Sequence, residues 1–363
     1  MSKKVMTFAI DEDTRELLVN DAQVEFEISD AVENLINQGA LLNDDEGIFF
    51  QRQLEYIQAQ SYDVLYPDLM GRNCFSTNTE GGEGINVFTY RSYDKRGETA
   101  IIAGKATDLP RGDISGQEYS IKVKSLGNAF GYSRQEIAAS KVTGFPLESR
   151  KADATRRSYE EKVNQIIWFG DAESDLNGIY GGPTGAPSLT IAKTSVAAAA
   201  GGGFSKVWGV NKTPTEVIKD LTDACAKMYS ETKKLFSPDT ILISVEKKLY
   251  LINTPRSDQS DMSIMNWFLA NNKFIKSADQ FKDINELDGI YDAAGGAFDP
   301  TGASGNGFTI MASGEANARI REPFPYMHLP VQYKGLEFEI NCYGRFAGVE
   351  MIRPDAFQHF YGI

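Results

Sequence analysis

"LESRKADATRRSYEEKVNQIIWFGDAESDLNGIYGGPTG", residues 147–185, holds the strongest helical pattern in the chain and the break that ends it. Ala152, Thr155, Tyr159, Val163 and Ile166 recur at spacings of three and four, which places them on one face of a helix expected over residues 146–169. The opposite face mixes Arg156, Arg157, Glu160, Glu161 and Lys162, the composition of a solvated face with helical ion pairs. Asp171, Glu173 and Asp175 then alternate ahead of a glycine-rich run, and three readings compete: a calcium loop, a phosphate cradle, or the end of the helix. An EF-hand loop counted from Asp171 requires Gly at position six and Glu at position twelve. Those positions hold Leu176 and Gly182. A phosphate cradle places its glycines before a helix N-terminus, whereas these follow a C-terminus, whose carbonyls repel an anion. Gly170 or Gly178 as a C-cap or turn residue is the simpler reading.

Toward the N-terminus the period changes. In "EYSIKVKS" Tyr119, Ile121 and Val123 alternate with Ser120, Lys122 and Lys124, and "INVFTYRSY" and "TAIIAG" also have strand composition, punctuated by Gly97, Gly104, Pro110-Arg111-Gly112 and Gly116. A long, partly polar ribbon of this kind has little core of its own. Two strands alone are marginally stable in water, so the ribbon must lie on something. Ahead of it, "IFFQRQLEYIQAQSYDVLYPDL" spaces Phe50, Leu54, Ile57 and Leu65 as one amphipathic helix stopped by Pro67.

Toward the C-terminus, about thirty residues rich in Gly, Ala, Pro and Thr form an excursion, and an α/β pattern comes after it. "TPTEVIKDLTDACAKMYSETKKLF" opens with Thr213 as N-cap, Pro214 in the first turn and Glu216 completing a capping box. "DTILIS" and "FTIMAS" read as buried strands, "EKKLYLIN" and "SIMNWFLANN" as helices. In "GLEFEINCYGRFAGVEMIRPDAF", Leu336, Phe338, Ile340 and Cys342 alternate with polar neighbours and Gly344 offers a turn, so a closing hairpin is expected.

A chain of 363 residues with 42% hydrophobic and 24% charged side chains is long enough to bury a large core, and no apolar run approaches a bilayer span. No signal-peptide pattern follows Lys3 and Lys4, so secretion and membrane partners are not expected. Cys74, Cys225 and Cys342 are far apart and odd in number, as reduced core thiols would be. The net charge of −13 is unevenly placed: residues 1–47 hold twelve acidic side chains against Lys3, Lys4 and Arg15, which leaves −4 for the other 316. Nothing in this near-neutral body grips nucleic acid phosphates strongly.

Chemistry is sparse. His328 and His359 stand in no metal spacing, "GASGNG" at 302–307 lacks half of a nucleophile elbow, and no catalytic, cofactor or metal residue is expected.

The segments "LEYIQAQSYDVLYPDL", "IIAGKATDLPRGDISGQEYSIKVKS", "FGYSRQEIAAS", "RKADATRRSYEEKVNQIIWFGD" and "RFAGVEMIRPDAF", in this order, resemble a tailed-phage major capsid protein. The similarity is to the α+β Hong Kong 97 type, shared with encapsulins, and within it to a phage and prophage group formerly labelled a domain of unknown function. One departure is Gly178-Ile179-Tyr180-Gly181 where that group tends to have Gly-Leu-Leu-Asn. The resemblance implies an N-terminal arm (1–46), a helix and lead-in (47–84) and an extended β-hairpin or E-loop (85–126). It further implies a peripheral domain with a spine helix (127–204), an axial domain (205–320) and a return to the peripheral domain (321–363).

It also implies that the chain assembles with itself, as pentamers and hexamers, into a shell around packaged double-stranded DNA in a virion. That shell would be put together in a bacterial cytoplasm, with only weak contact to the DNA. About 45 residues before the first helix are too few for a fused scaffold, so a separate scaffolding protein is expected beside a portal and, in some relatives, a decoration protein. Assembly would fall to Tyr90, Arg91, Tyr93, Lys95, Arg96, Arg111, Tyr119, Ile121 and Val123 on the arm, and to Arg156 and Arg157 as a basic patch for a neighbour's acidic N-terminal segment. Cross-linking, where members of the group use it, would fall to Lys95 and Lys105. An encapsulin-like compartment and, from another class, a cytoplasmic α/β enzyme acting at Gly-rich loops remain the competing expectations.

Overall fold

The computed structural model describes residues 64–101, 109–144, 147–198, 206–209, 212–284 and 307–363. The acidic N-terminal segment, nearly all of the helix expected before Pro67, Lys105 and the loop around 302–306 lie outside them. The chain divides into two units, Met1–Pro67 and Asp68–Ile363, and the described helices and strands belong to the second.

The long helix spans Leu147–Phe169 and buries Tyr159, Val163, Asn164, Ile166, Ile167 and Trp168. Gly170 leaves it at φ +67, and the glycine run folds back over its end. The Ile179 amide donates to the Ile167 carbonyl at 2.9 Å and the Tyr180 amide to Trp168 at 2.8 Å, so carbonyls that a helix C-terminus leaves unpaired are satisfied by the loop. The approach is too close for a side chain: a Cβ on Gly178 would lie 2.2 Å from the Gly170 nitrogen. The loop is a cap. Two of its three carboxylates have protein partners, since Asp171 accepts from the Glu173 amide at 3.1 Å and Asp175, itself at φ +59, pairs with Lys122.

Strands follow in chain order. β1 (Ser76–Asn78), β2 (Val87–Arg96), β3 (Asp113–Lys122) and β4 (Lys124–Ser133) precede the helix Arg134–Thr143, which Ser133 and Glu136 close with a capping box. After the long helix come β5 (Ala192–Ser195), β6 (Thr240–Ser244), β7 (Pro255–Ser257), β8 (Ser260–Ser263) and β9 (Phe281–Ile284). The chain ends through β10 (Gly307–Met311), β11 (Ala318–Arg321), β12 (Phe324–His328), β13 (Gln332–Lys334), β14 (Glu337–Phe346), β15 (Val349–Met351) and β16 (Phe357–Tyr361).

Two sheets carry the body. In one, β14 pairs with β4 along all ten residues and with β12 and β13 on its other side, and the long helix packs on β4. In the other, the order is β5-β16-β10-β6-β9, with β6 and β10 buried at every position. The helix Pro214–Glu231, opened by Thr213 and Glu216, packs on β10 and β16, and the helix Val245–Asn253 on β6 and β9. Within this module Lys212 and Asp220 form a buried ion pair, and Trp208 Nε1 donates to the same carboxylate at 2.9 Å. Burial raises the Asp220 pKa while both donors pull it down. A small third sheet joins β1 to β11 and β11 to β15.

Three features differ from the sequence expectations. There is no closing hairpin: β14 runs straight through Gly344, the turn comes at Gly348 (φ +78), and β15 pairs with β11. Gly344 is needed for packing, because a Cβ there would meet the Tyr159 hydroxyl at 2.6 Å and the Tyr326 backbone at 3.2 Å. Thr99–Ile101, the start of "TAIIAG", is not in a strand. Finally, β5 and β16, drawn from ranges 127–204 and 321–363, hydrogen-bond in the same sheet as β6, β9 and β10. Strand pairing thus interleaves ranges that the sequence reading keeps apart.

Candidate assembly surface

β2 and β3 form an antiparallel ribbon in continuous register from Val87 opposite Lys122 to Arg96 opposite Asp113. Among the described residues it has no other strand partner. Alternation puts Phe88 and Tyr90 on the face that also carries Tyr119 and Ile121. Near the base this face is used within the chain: Ile121 and Val123 are buried with Ala347, and Ile85, Phe88 and Tyr90 pack around them. Tyr90 stacks on Tyr119 with ring centroids 5.2 Å apart, and its hydroxyl donates to the Met351 carbonyl at 3.1 Å. Burial pushes the Tyr90 hydroxyl up to about 12, with the nearby Glu350 carboxylate adding to the effect.

The expected contact residues therefore divide. Ile121 and Val123 are spent inside the chain, so they are not surface for a neighbour, because the ribbon's base lies on its own body. Tyr90 is half-buried and anchored. Beyond it the ribbon stands in solvent: Arg91 pairs with Glu118 at 3.1 Å, Arg96 with Asp94 at 3.2 Å, Lys95 and Arg111 are exposed, and Tyr119 is open at its edge. Apolar side chains are exposed there too, with Tyr93 at 65% and Ile114 at 63%, followed by Ile101 and Leu109.

Arg156 and Arg157 are not part of a basic patch. Arg157 donates to Glu161 at 2.7 Å, and Arg156 lines a groove of about 700 Å³ with Arg72, Asp153, Glu160, Glu322, Tyr326 and His328. Arg72 is already bound to Glu160 at 2.7 Å and to Glu322 at 2.6 Å. Two guanidiniums thus face three carboxylates. Helical spacing supplies Asp153 and Glu160, and Glu322 arrives from the far end of the chain, so the charge sign cannot be read from Arg156-Arg157 alone.

Sequence reading missed the residues that fasten the ribbon. Glu350, 1% exposed, accepts from Arg321 Nε at 2.6 Å and from Arg319 Nε. The Arg321 guanidinium lies over the Phe88 ring, 4.9 Å from its centroid, and donates to Asn78 at 2.6 Å. Arg345 donates to the Glu83 carbonyl and to Asn86 Oδ1, the latter at 2.6 Å, and Lys122 pairs with Asp175. Alternation in "NARIREP" is the only local trace of this arrangement.

A ribbon leaving a two-sheet body beside a long helix is an arrangement specific enough to compare with known proteins. The sequence profile of the family described as major capsid protein matches residues 97–363. This chain belongs to the major capsid protein family. No curated protein sequence matches it. The fold is similar to the capsid of Myoviridae phage XM1, at 16% identity and TM-score 0.70, covering 87% of this chain and 99% of that one. It is also similar to a chain from Mycobacterium phage Ogopogo (10% identity, TM-score 0.53, covering 87% and 99%). A third likeness is to the capsid of an empty GTA particle (13% identity, TM-score 0.51, covering 90% and 97%). The fold is the α+β Hong Kong 97 type. The chain is accordingly a capsid component. Among the described residues no helix is long and apolar enough to cross a membrane.

Proposed function

We propose that this capsid protein forms the icosahedral shell of a tailed phage around packaged double-stranded DNA, and that the β2–β3 ribbon closes the contact between neighbouring subunits. The supporting observation is the ribbon's outer half, which leaves Tyr93, Leu109 and Ile114 uncovered by the rest of the described chain. Such a ribbon is marginal alone and gains its missing cover by lying across the next copy. Contacts of that kind are heterologous, joining two different surfaces, and they close through rings of five and six. Peripheral and axial domains of the ranges given above, with β5 and β16 shared between them, would make up each subunit. Shells would assemble in the host cytoplasm on a separate scaffolding protein and a portal, and the protein itself would have no catalytic role.

Replacing residues 97–112 by a short Gly-Ser turn tests this. Electron microscopy of the purified wild-type protein is expected to show closed shells, and the shortened protein soluble subunits with an unchanged thermal midpoint. Normal shells from the shortened chain would refute the ribbon's role; wild-type monomers at every concentration and with co-expressed scaffold would refute assembly.

A further inference from the structure

We propose that Arg321, held by Glu350 and laid against Phe88, sets the direction in which the ribbon leaves the body and thereby the curvature of the shell. Glu350 is almost completely buried and shared by two guanidiniums, so neither it nor Arg321 has freedom to turn. Arg321 bridges two parts of the molecule. Its Nε is bound to β15, its Nη1 to Asn78 on β1 and to Glu80 at 3.2 Å, and its flat face supports the Phe88 ring on β2. Tyr90, two residues further out, is tied to Met351, the residue after Glu350. β2 therefore rests on Arg321 and on Met351 through one stacked and one hydrogen-bonded aromatic ring, while the base of β3 is held by Ile121 against Ala347 and by the Lys122–Asp175 pair. Beyond Tyr90 no β2 side chain is buried, so nothing farther out corrects an error in angle.

The lever is long. Ten residues at about 3.4 Å each make a ribbon of roughly 34 Å, so a rotation of about 10° at the base moves its end by about 6 Å. In a ring where each copy lies on the next, an angular change repeats at every contact. The effect on shells rests on the assembly function proposed above; the effect on ribbon direction does not.

The test separates the two. Spin labels on Ser115→Cys and Asp223→Cys, in a Cys74→Ser background of the full chain, report the ribbon-to-body distance in unassembled subunits. A single narrow distance is expected, and Phe88→Leu and Arg321→Lys are expected to shift or broaden it by several ångström while leaving the fold intact by circular dichroism. Shells from the same variants should spread in diameter. Phe88 is only half-buried, so Phe88→Leu keeps the test open even if Arg321→Lys fails to fold. An unchanged distance distribution in both variants would overturn the assignment whether or not shells form. A shifted distance with shells of uniform, unchanged diameter would overturn the link to curvature.

Discussion

β3 and β10 are both strands in one chain, yet they differ in how much of their surface the chain itself covers. All five residues of β10 are buried, between β6 and β16 and beneath a helix, whereas of the ten residues in β3 only Ile121 is buried. Burying a large aliphatic side chain contributes about 1.5–3 kcal/mol, so β10 is stabilised inside its own fold and β3 must be stabilised elsewhere. The module around β10 is therefore covered within the chain, while the ribbon, in the function proposed above, is the part that assembly would complete. Substitutions in the two regions should have different readouts: stability in the first, association in the second.

The largest effect on stability is expected inside the five-stranded module. Asp220→Asn leaves the Lys212 ammonium, 1% exposed at its side chain, without its counter-charge. Breaking a buried pair in this way costs about 3–5 kcal/mol. Chemical denaturation should show the midpoint move sharply with an unchanged slope. A loss below about 1 kcal/mol would mean that the module is not the rigid half of the comparison.

Much of this division was legible in the sequence, and the parts that were not have a common cause. Local periodicity and caps carried the long helix and the Thr213-Pro214-Glu216 start, and alternation around Tyr119 carried the ribbon, because those signals lie within a few residues of one another. Gly344 misled, since its lack of a side chain serves the Tyr159 hydroxyl across the helix–sheet seam and not a turn. The Arg321–Glu350–Phe88 contact was invisible because Phe88 and Glu350 are over 260 positions apart. Arg156 looked like part of a patch for the same reason, because Glu322, which lines the same groove, is distant in the chain.

A pH effect of intermediate size sharpens the comparison. His359 on β16 is buried, with Nδ1 2.7 Å from the Thr309 hydroxyl, which in turn lies 3.1 Å from the Tyr180 hydroxyl. Burial, reinforced by the Lys193 charge, lowers its pKa to about 3 from an ordinary 6.5. A histidine with a depressed pKa keeps the fold stable while it is neutral, and the unfolded chain gains protons first as pH falls below 6.5. Stability from this group should be whole above that value and decline down to about pH 3. At pH 5 the loss is about 2 kcal/mol. Thermal unfolding of unassembled subunits between pH 7 and 4 should show this decline reduced in His359→Gln, whereas ribbon variants should keep the wild-type pH profile. An identical profile in His359→Gln would assign the acid sensitivity to other groups.

The smallest effect belongs to the ribbon itself. Arg91 and Glu118 face each other across β2 and β3 at 3.1 Å, but their side chains are 67% and 58% exposed. An ion pair so open to water and salt contributes little to a fold, and Arg91→Ala should change subunit stability by less than about 0.5 kcal/mol. The position gains importance only if the neighbouring copy covers it, because excluding water strengthens a charge pair and leaves a lone Glu118 costly. Shell yield and its salt dependence should then respond to Arg91→Ala although the unfolding midpoint does not. A change in the midpoint with no change in assembly would mean that this part of the ribbon is fastened to its own subunit.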